Sequence, residues 1–331
     1  MADCVLNVED VSVKYPGRGG LITVVDQVSL SVNAGESLVI AGESGSGKSM
    51  ICQALLGIVP GAGLVSGTRI DWKGRNLLGM DERGWNAIRG SEIAMVFQDP
   101  TAALNPLITV GAQIIDVIRT HKRCSRSEAK ERAIESLRLA GFTEPAQQLR
   151  RYPSELSGGM RQRVAIAIAL SCEPSMIIAD EATSNLDVSI QAKIVELLHD
   201  LKDKLGLALI FVTHDLGLAA EIGGELLVMY AGNMVEHGPV HSVLENPSHP
   251  YTIGLLRSAP NLQSTRDNPL KPIPGQAPKP GSLGKSAPFF DRCPVAVEGV
   301  CALQRPGWSE VSSGHQVACH RYALNKEGEH L

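Results

Sequence analysis

Nowhere among the 331 residues does an apolar run reach the roughly 18–20 side chains needed to cross a bilayer. The longest candidates, Val164 to Cys172 and Leu207 to Thr213, are interrupted or far too short. The first residues, Met1-Ala2-Asp3-Cys4, lack the charged and apolar regions of a secretory signal, so a cytosolic chain is expected. Charge of one sign is also missing. A net charge of −4 and a pI near 6.2 imply no broad basic surface, which disfavours nucleic acid or anionic lipid as partner. There is no internal repeat and no heptad coiled coil. The seven cysteines are odd in number and uneven in spacing: Cys4, Cys52, Cys124 and Cys172 are scattered and read as free thiols, whereas Cys293, Cys301 and Cys319 cluster near the C-terminus.

What is present is a globular composition, 44% hydrophobic and 20% charged, over a length that suits one large domain and a smaller one. The most informative stretch is Gly42-Glu43-Ser44-Gly45-Ser46-Gly47-Lys48-Ser49. It matches the phosphate-loop pattern, with an apolar run, Leu38 to Ala41, before it and a helical run, Met50 to Leu56, after it. Glycines let backbone N–H groups turn inward on a polyphosphate, and a helix N-terminus adds about half a positive charge. Lys48 can then reach the β and γ phosphates, and the Ser49 hydroxyl can bind Mg²⁺. This strand–loop–helix context marks a nucleotide site.

Other features are weaker taken singly. Val5 to Tyr15 and Val24 to Val32 read as strands; Tyr15, before Pro16-Gly17, suits adenine stacking or a core position equally. A strand at 91–97 ends at Gln98-Asp99-Pro100, and helical patterns follow at 110–120, 127–140 and 144–151. Ser157-Gly158-Gly159 opens another helix, as an anion site or a plain cap. The apolar run Met176 to Ala179 delivers Asp180 and Glu181 to a strand end, where one acid can hold a metal and the next polarise a water. Leu207 to Val212 ends at Thr213-His214-Asp215, where His214 either meets a phosphate oxygen or serves as a cap or core residue. Strands are expected at Glu225–Tyr230 and Asn233–Glu236. Beyond Asn246 the density of proline predicts extended, turn-rich chain.

Together and in this order, the motifs resemble those of the ATP-binding subunits of ABC transporters. Gly42–Ser49 is similar to the Walker A loop, Gln98 to the Q-loop glutamine and Leu156–Gln162 to the signature. Asp180-Glu181 matches Walker B with its catalytic glutamate, Ser184–Asp187 the D-loop and His214 the switch histidine. More narrowly, Gln98-Asp99-Pro100 with Ala103-Leu104-Asn105-Pro106, Val228 to Gly232, Asn246 to Thr252 and the Ile273-Pro274-Gly275 element resemble the oligopeptide/dipeptide branch. The resemblance implies an α/β fold, a P-loop NTPase ABC cassette with a RecA-like core, an antiparallel β subdomain and a helical subdomain at about 100–165. This cassette would span 1–246, with a small irregular C-terminal extension over 247–331.

The resemblance also implies ATP and Mg²⁺ as cofactors. Ser49, Gln98 and Asp180 would serve the metal, Tyr15 the adenine, and Glu181, His214 and Gln98 the chemistry. Ser157, Gly158 and Gly159 would close over ATP held by a second ATP-binding subunit, either a different chain, as is common in this branch, or another copy of this one. Two transmembrane permease subunits and an extracytoplasmic solute-binding protein complete the expected partners. The chain would then sit peripherally on the cytoplasmic face of the bacterial inner membrane. The implied work is uptake of di- or oligopeptides, with nickel or another small solute as the alternative. A non-transport ABC ATPase is disfavoured because no long coiled coil and no second cassette are present.

Three positions depart from the family pattern: Ala182 in place of a proline, Asn185 in place of a small D-loop residue, and Ala287 in place of a cysteine. Some relatives hold an iron–sulfur cluster through four cysteines, of which Cys293, Cys301 and Cys319 line up with three. Such a cluster would need a fourth ligand such as His315 or His320; otherwise the thiols are simply reduced.

Overall fold

The structure is a computed structural model that describes residues 3–184, 186–258 and 270–323; Asn185 of the expected D-loop lies outside them. In chain order the elements are β1 (Cys4–Gly17), β2 (Gly20–Asn33), β3 (Ser37–Ala41), α1 (Lys48–Leu55), β4 (Leu64–Ser66), β5 (Arg69–Trp72) and β6 (Arg75–Asn76). Then come α2 (Glu82–Ile88), β7 (Ile93–Val96), α3 (Pro100–Ala103), α4 (Val110–His121), α5 (Arg126–Leu139), α6 (Pro145–Gln148) and α7 (Gly158–Leu170). They are followed by β8 (Met176–Asp180), α8 (Val188–Leu205), β9 (Ala208–Thr213), α9 (Leu216–Ile222), β10 (Glu225–Tyr230) and β11 (Asn233–Pro239). Last are α10 (Val240–Glu245), α11 (Pro250–Ser258), β12 (Ser309–Ser312) and β13 (His315–Val317).

The contacts divide the chain into two compact units. The first, built chiefly from residues 79–212, contains the parallel strands β7, β8 and β9. Every residue of β8 is buried, which is why it reads as an unbroken apolar run: a parallel strand is covered on both faces. Helices α4, α5 and α7 pack on one another, and α7 packs on β7. The helix starts are written locally. Ser125 and Glu128 form a reciprocal capping box at α5, and Asp187 caps α8 through the amide of Ile190. The helical pattern expected at 144–151 is in fact the short α6, because Leu149 and Arg151 leave the helix to accept from Gly111 and Val110.

The second unit holds residues 6–31, 38–78 and 213–331. One of its sheets is antiparallel, in the order β2-β1-β5-β6 with β4 also on β1. In its other layer β3 pairs parallel with β10, then β11, β13 and β12 continue antiparallel. The proline-rich C-terminal part is thus less irregular than its composition predicts. Pro250 opens α11 at a position where a helix needs no N–H donor, and a hairpin joins the sheet through Glu236↔Val317.

One buried carboxylate organises this join. Glu236 is fully enclosed, and its oxygens accept from the amides of Ser248 (2.6 Å) and His249 (3.0 Å) and lie 2.8 Å from Nε2 of His315. Beside it His249, 6% exposed, accepts at Nδ1 from the Tyr251 amide. Burial pushes the His249 pKa down to about 3 from 6.5. Between those values the unfolded chain binds a proton that the folded chain refuses. The His249 contribution to stability is therefore complete above about pH 6.5 and falls as the pH drops toward 3, by up to about 1.4 kcal/mol per pH unit. Thermal unfolding midpoints measured at pH 7 and pH 5 should fall less in His249→Gln than in the parent chain; parallel slopes would remove His249 from this role.

Candidate nucleotide site

The phosphate loop leaves β3 and enters α1, within the second unit. Gly42, Gly45 and Gly47 have φ of 154°, 79° and 100°, conformations that side chains rarely adopt. Space reinforces the choice at Gly42, where a Cβ would lie 2.2 Å from the Met229 carbonyl oxygen. The loop is also pinned from the other side, since the Gly232 amide donates to the Ser46 carbonyl at 2.9 Å. Lys48 is buried, and its Nζ donates to the carbonyls of Gly42 (2.8 Å) and Glu43 (3.0 Å). Its ammonium is therefore held against the loop carbonyls at a helix start, with Ser44 and Gly45 exposed at the crest and Ser49 one residue into the helix. A glycine-rich turn at a helix start with a fixed cation beside it has the charge to receive a polyphosphate.

Tyr15 lies in this unit near the end of β1. Its hydroxyl donates to the Pro60 carbonyl at 3.1 Å and approaches Sδ of Met50 in α1. His214 follows β9 and is exposed, while the next residue, Asp215, caps α9 through the Gly217 amide. The capping alternative considered for the histidine thus belongs to its neighbour.

In the first unit, β8 ends at Asp180, which is buried, and Glu181. Glu181 adopts φ 44°, with its amide donating to Val212 and its carbonyl accepting from Ser184. A non-glycine residue held there by two hydrogen bonds is strained and strictly oriented. Gln98, which follows β7, donates from Nε2 to the Glu181 carboxylate at 3.0 Å, although 83 residues separate the two. Ala182, which follows Glu181, is buried.

The same unit carries Ser157, which caps α7 through the Met160 amide, and exposed Gly158 beside it. Gly159 is buried; a Cβ there would meet Ile190 at 2.8 Å. Arg161, unremarked in the sequence, fixes this corner. It donates to the carbonyls of Pro153 and Leu156 and to the Thr101 hydroxyl, tying the start of α7 to α3.

The three C-terminal cysteines line one small cavity of about 30 Å³, together with Ala287 and His320. Several features argue against an iron–sulfur cluster. The volume is that of about one water molecule. Burial pushes the Cys293 and Cys319 thiols up, away from the thiolate a cluster needs. Of the two histidines expected as a fourth ligand, His315 does not line this cavity, and its Nε2 lies on Glu236. Among the described residues no group of three or more His, Cys, Asp or Glu side chains is placed to hold a metal ion. The residues do not fit the cluster.

Comparison with known proteins follows the same lines. Residues 25–184 match the family model described as ABC transporter, and 235–301 match the oligopeptide/dipeptide transporter C-terminal region. The chain is 44% identical over 321 residues to a probable peptide ABC transporter ATP-binding protein of Sinorhizobium fredii, covering 97% of this chain and 96% of the relative. It is 41% identical over 323 residues to the dipeptide transport ATP-binding protein DppD of Escherichia coli, covering 98% of each. Among solved structures, cbiO1 of Clostridium perfringens aligns with a TM-score of 0.64 at 27% identity, over 74% of this chain and 92% of that one. The cassette MJ0796, solved as a dimer in a post-hydrolysis state with ADP and inorganic phosphate, aligns at 0.60 and 31% identity, over 71% and 98%.

The crowding at Gly42 gives a direct test. Gly42→Ala should destabilise the chain by about 2 kcal/mol or more, because the opposing atom is backbone of β10 and cannot rotate away. A urea midpoint equal to that of the parent chain would show that the loop relaxes freely.

Proposed function

The chain belongs to the ABC transporter family, among members with the oligopeptide/dipeptide transporter C-terminal region, and on that premise we propose how its residues divide the work. It is the ATP-hydrolysing subunit of an importer, and uptake of peptides is the task that hydrolysis drives. The observation that carries the reading is the phosphate loop: three left-handed glycines ahead of a helix, with the Lys48 ammonium held above them.

Lys48 and the loop amides neutralise the β and γ phosphates; Ser49, Gln98 and Asp180 would hold Mg²⁺, which when bound would supply further positive charge beside those phosphates. Tyr15 carries the adenine. Glu181 orients the attacking water and takes its proton, Gln98 reports whether the γ-phosphate is present, and His214 contacts that phosphate. Phosphoryl transfer to water depends chiefly on position and charge, so fixed groups of this kind suffice. The hydrogen bond from Gln98 supports this assignment because it holds the Glu181 carboxylate in one orientation. Ser157, Gly158 and Gly159 serve the nucleotide bound by a second ATP-binding subunit, which in turn covers the ATP bound here. No step passes through the cysteines.

No helix among the described residues is long and apolar enough to cross a membrane, so attachment comes through permease subunits at the cytoplasmic face. Leu107 and Ile108, 84% and 41% exposed, follow α3 in the segment that Gln98 begins, and Phe97 is exposed before it. Exposed apolar side chains within about ten residues of this glutamine in the chain support docking of a membrane subunit along this segment. An extracytoplasmic receptor delivers the solute. Nickel or another small solute would be handled by the same chemistry; the C-terminal region and the relatives' names favour peptide.

Glu181→Gln should retain ATP binding in the assembled transporter while steady-state phosphate release falls about 100-fold or more. Near-normal release would remove Glu181 from its role. Lys48→Ala should instead weaken ATP binding itself. Leu107→Glu should reduce co-purification with the permease subunits and leave ATP affinity of the isolated chain unchanged; intact co-purification would place the docking surface elsewhere.

A further inference from the structure

Glu43, the second residue of the phosphate loop, turns its carboxylate toward the C-terminal extension. There it meets Arg292 in a two-pronged ion pair, Nη1 to Oε2 at 2.7 Å and Nη2 to Oε1 at 3.0 Å. Arg292 is 7% exposed and held on every side. Its Nε donates to the Pro274 carbonyl at 2.8 Å, Nη1 also reaches the Tyr230 hydroxyl, and the guanidinium lies over the rings of Tyr230 and Phe289. The hydrogen bonds with Glu43 and Tyr230 raise its pKa further still, so it is cationic at any physiological pH.

A second extension residue grips the same loop residue from the backbone. The Glu43 amide donates to the Tyr251 hydroxyl at 2.7 Å, and Tyr251 is fully buried between Tyr230 and Phe289. The extension also reaches the crest of the loop, since Gly45 lines a cavity of about 190 Å³ together with Pro278, Lys279, Pro280 and Gly281.

We propose that Arg292 and Tyr251 are positioning residues through which the C-terminal extension sets the affinity of the phosphate loop for nucleotide. The argument is electrostatic as well as mechanical, and it rests on the nucleotide reading given above. A carboxylate in a phosphate loop opposes a polyphosphate carrying several negative charges. A bidentate guanidinium cancels that charge and at the same time turns the carboxylate away from the loop. Without Arg292 the Glu43 charge is left uncompensated beside the bound phosphates.

The test is Mg·ATP binding to the full chain at low ionic strength, by titration calorimetry, for four proteins: parent, Arg292→Ala, Glu43→Gln and the double variant. Arg292→Ala should weaken binding about tenfold, and adding Glu43→Gln should restore affinity to within about threefold of the parent. A general loosening of the extension would not be repaired by removing the carboxylate. If Arg292→Ala does not accumulate as folded protein, Arg292→Lys keeps the charge but loses the fork. It should then weaken binding about two- to fourfold, again recovered by Glu43→Gln. Binding by the arginine variant within twofold of the parent, or no recovery in the double variant, overturns the proposal. Failure of the parent chain itself to bind Mg·ATP overturns the nucleotide reading and this inference with it.

Discussion

A gap that admits only hydrogen lies at the centre of this chain. Where the phosphate loop leaves β3, Gly42 faces the Met229 carbonyl, and where β10 turns into β11, Gly232 faces the carbonyl of Val24; a Cβ at either place would come within 2.3 Å of an oxygen. These two close approaches, with the Gly232–Ser46 and Asp26–Gly232 hydrogen bonds, lock loop, turn and β2 into one rigid block. The block holds the loop in one conformation. Donors already oriented need no reorganisation when charge develops, which is where most of the catalytic advantage of such a site originates.

The acidic end is made rigid by other means. The Asp180–Glu181 corner closes a fully buried strand, and Glu181 sits in a left-handed conformation in which its hydrogen bonds with Val212 and Ser184 hold it. Gln98 then fixes the side chain itself. Helix α7 begins with a glycine that Ile190 leaves no room to replace and with an arginine anchored to α3. In each case a strained or crowded residue is held by partners distant in sequence, as expected where geometry serves chemistry before stability.

Much of this was legible in the sequence, because short motifs encode short-range geometry. Gly42 to Ser49, the β8 run into Asp180-Glu181 and the Ser157 cap each carry their own conformational reasons within a few residues. What escaped was set by contacts across long separations. Glu43 and Arg292 are 249 residues apart, and nothing periodic joins them. The role of Arg161 depends on Thr101, 60 residues earlier. The C-terminal part misled in the opposite direction. Its prolines announce extended chain, yet Pro250 starts a helix and a short hairpin between His315 and Ser309 adds two strands to a sheet. The cysteines likewise form a cluster in sequence and in space, but burial favours the thiol form of Cys293 and Cys319, and His315 lies with Glu236.

That hairpin has a consequence for the solution behaviour of the protein. Unpaired, β11 would present a row of free amides and carbonyls flanked by Val235 and Met234, a template on which another chain could add. Pairing with β13 removes it and transfers the sheet border to β12, a four-residue strand, largely exposed, that carries Glu310. A border so short and polar repels strand addition. The hairpin therefore leaves at this border a strand too short and too polar to template the addition of another chain.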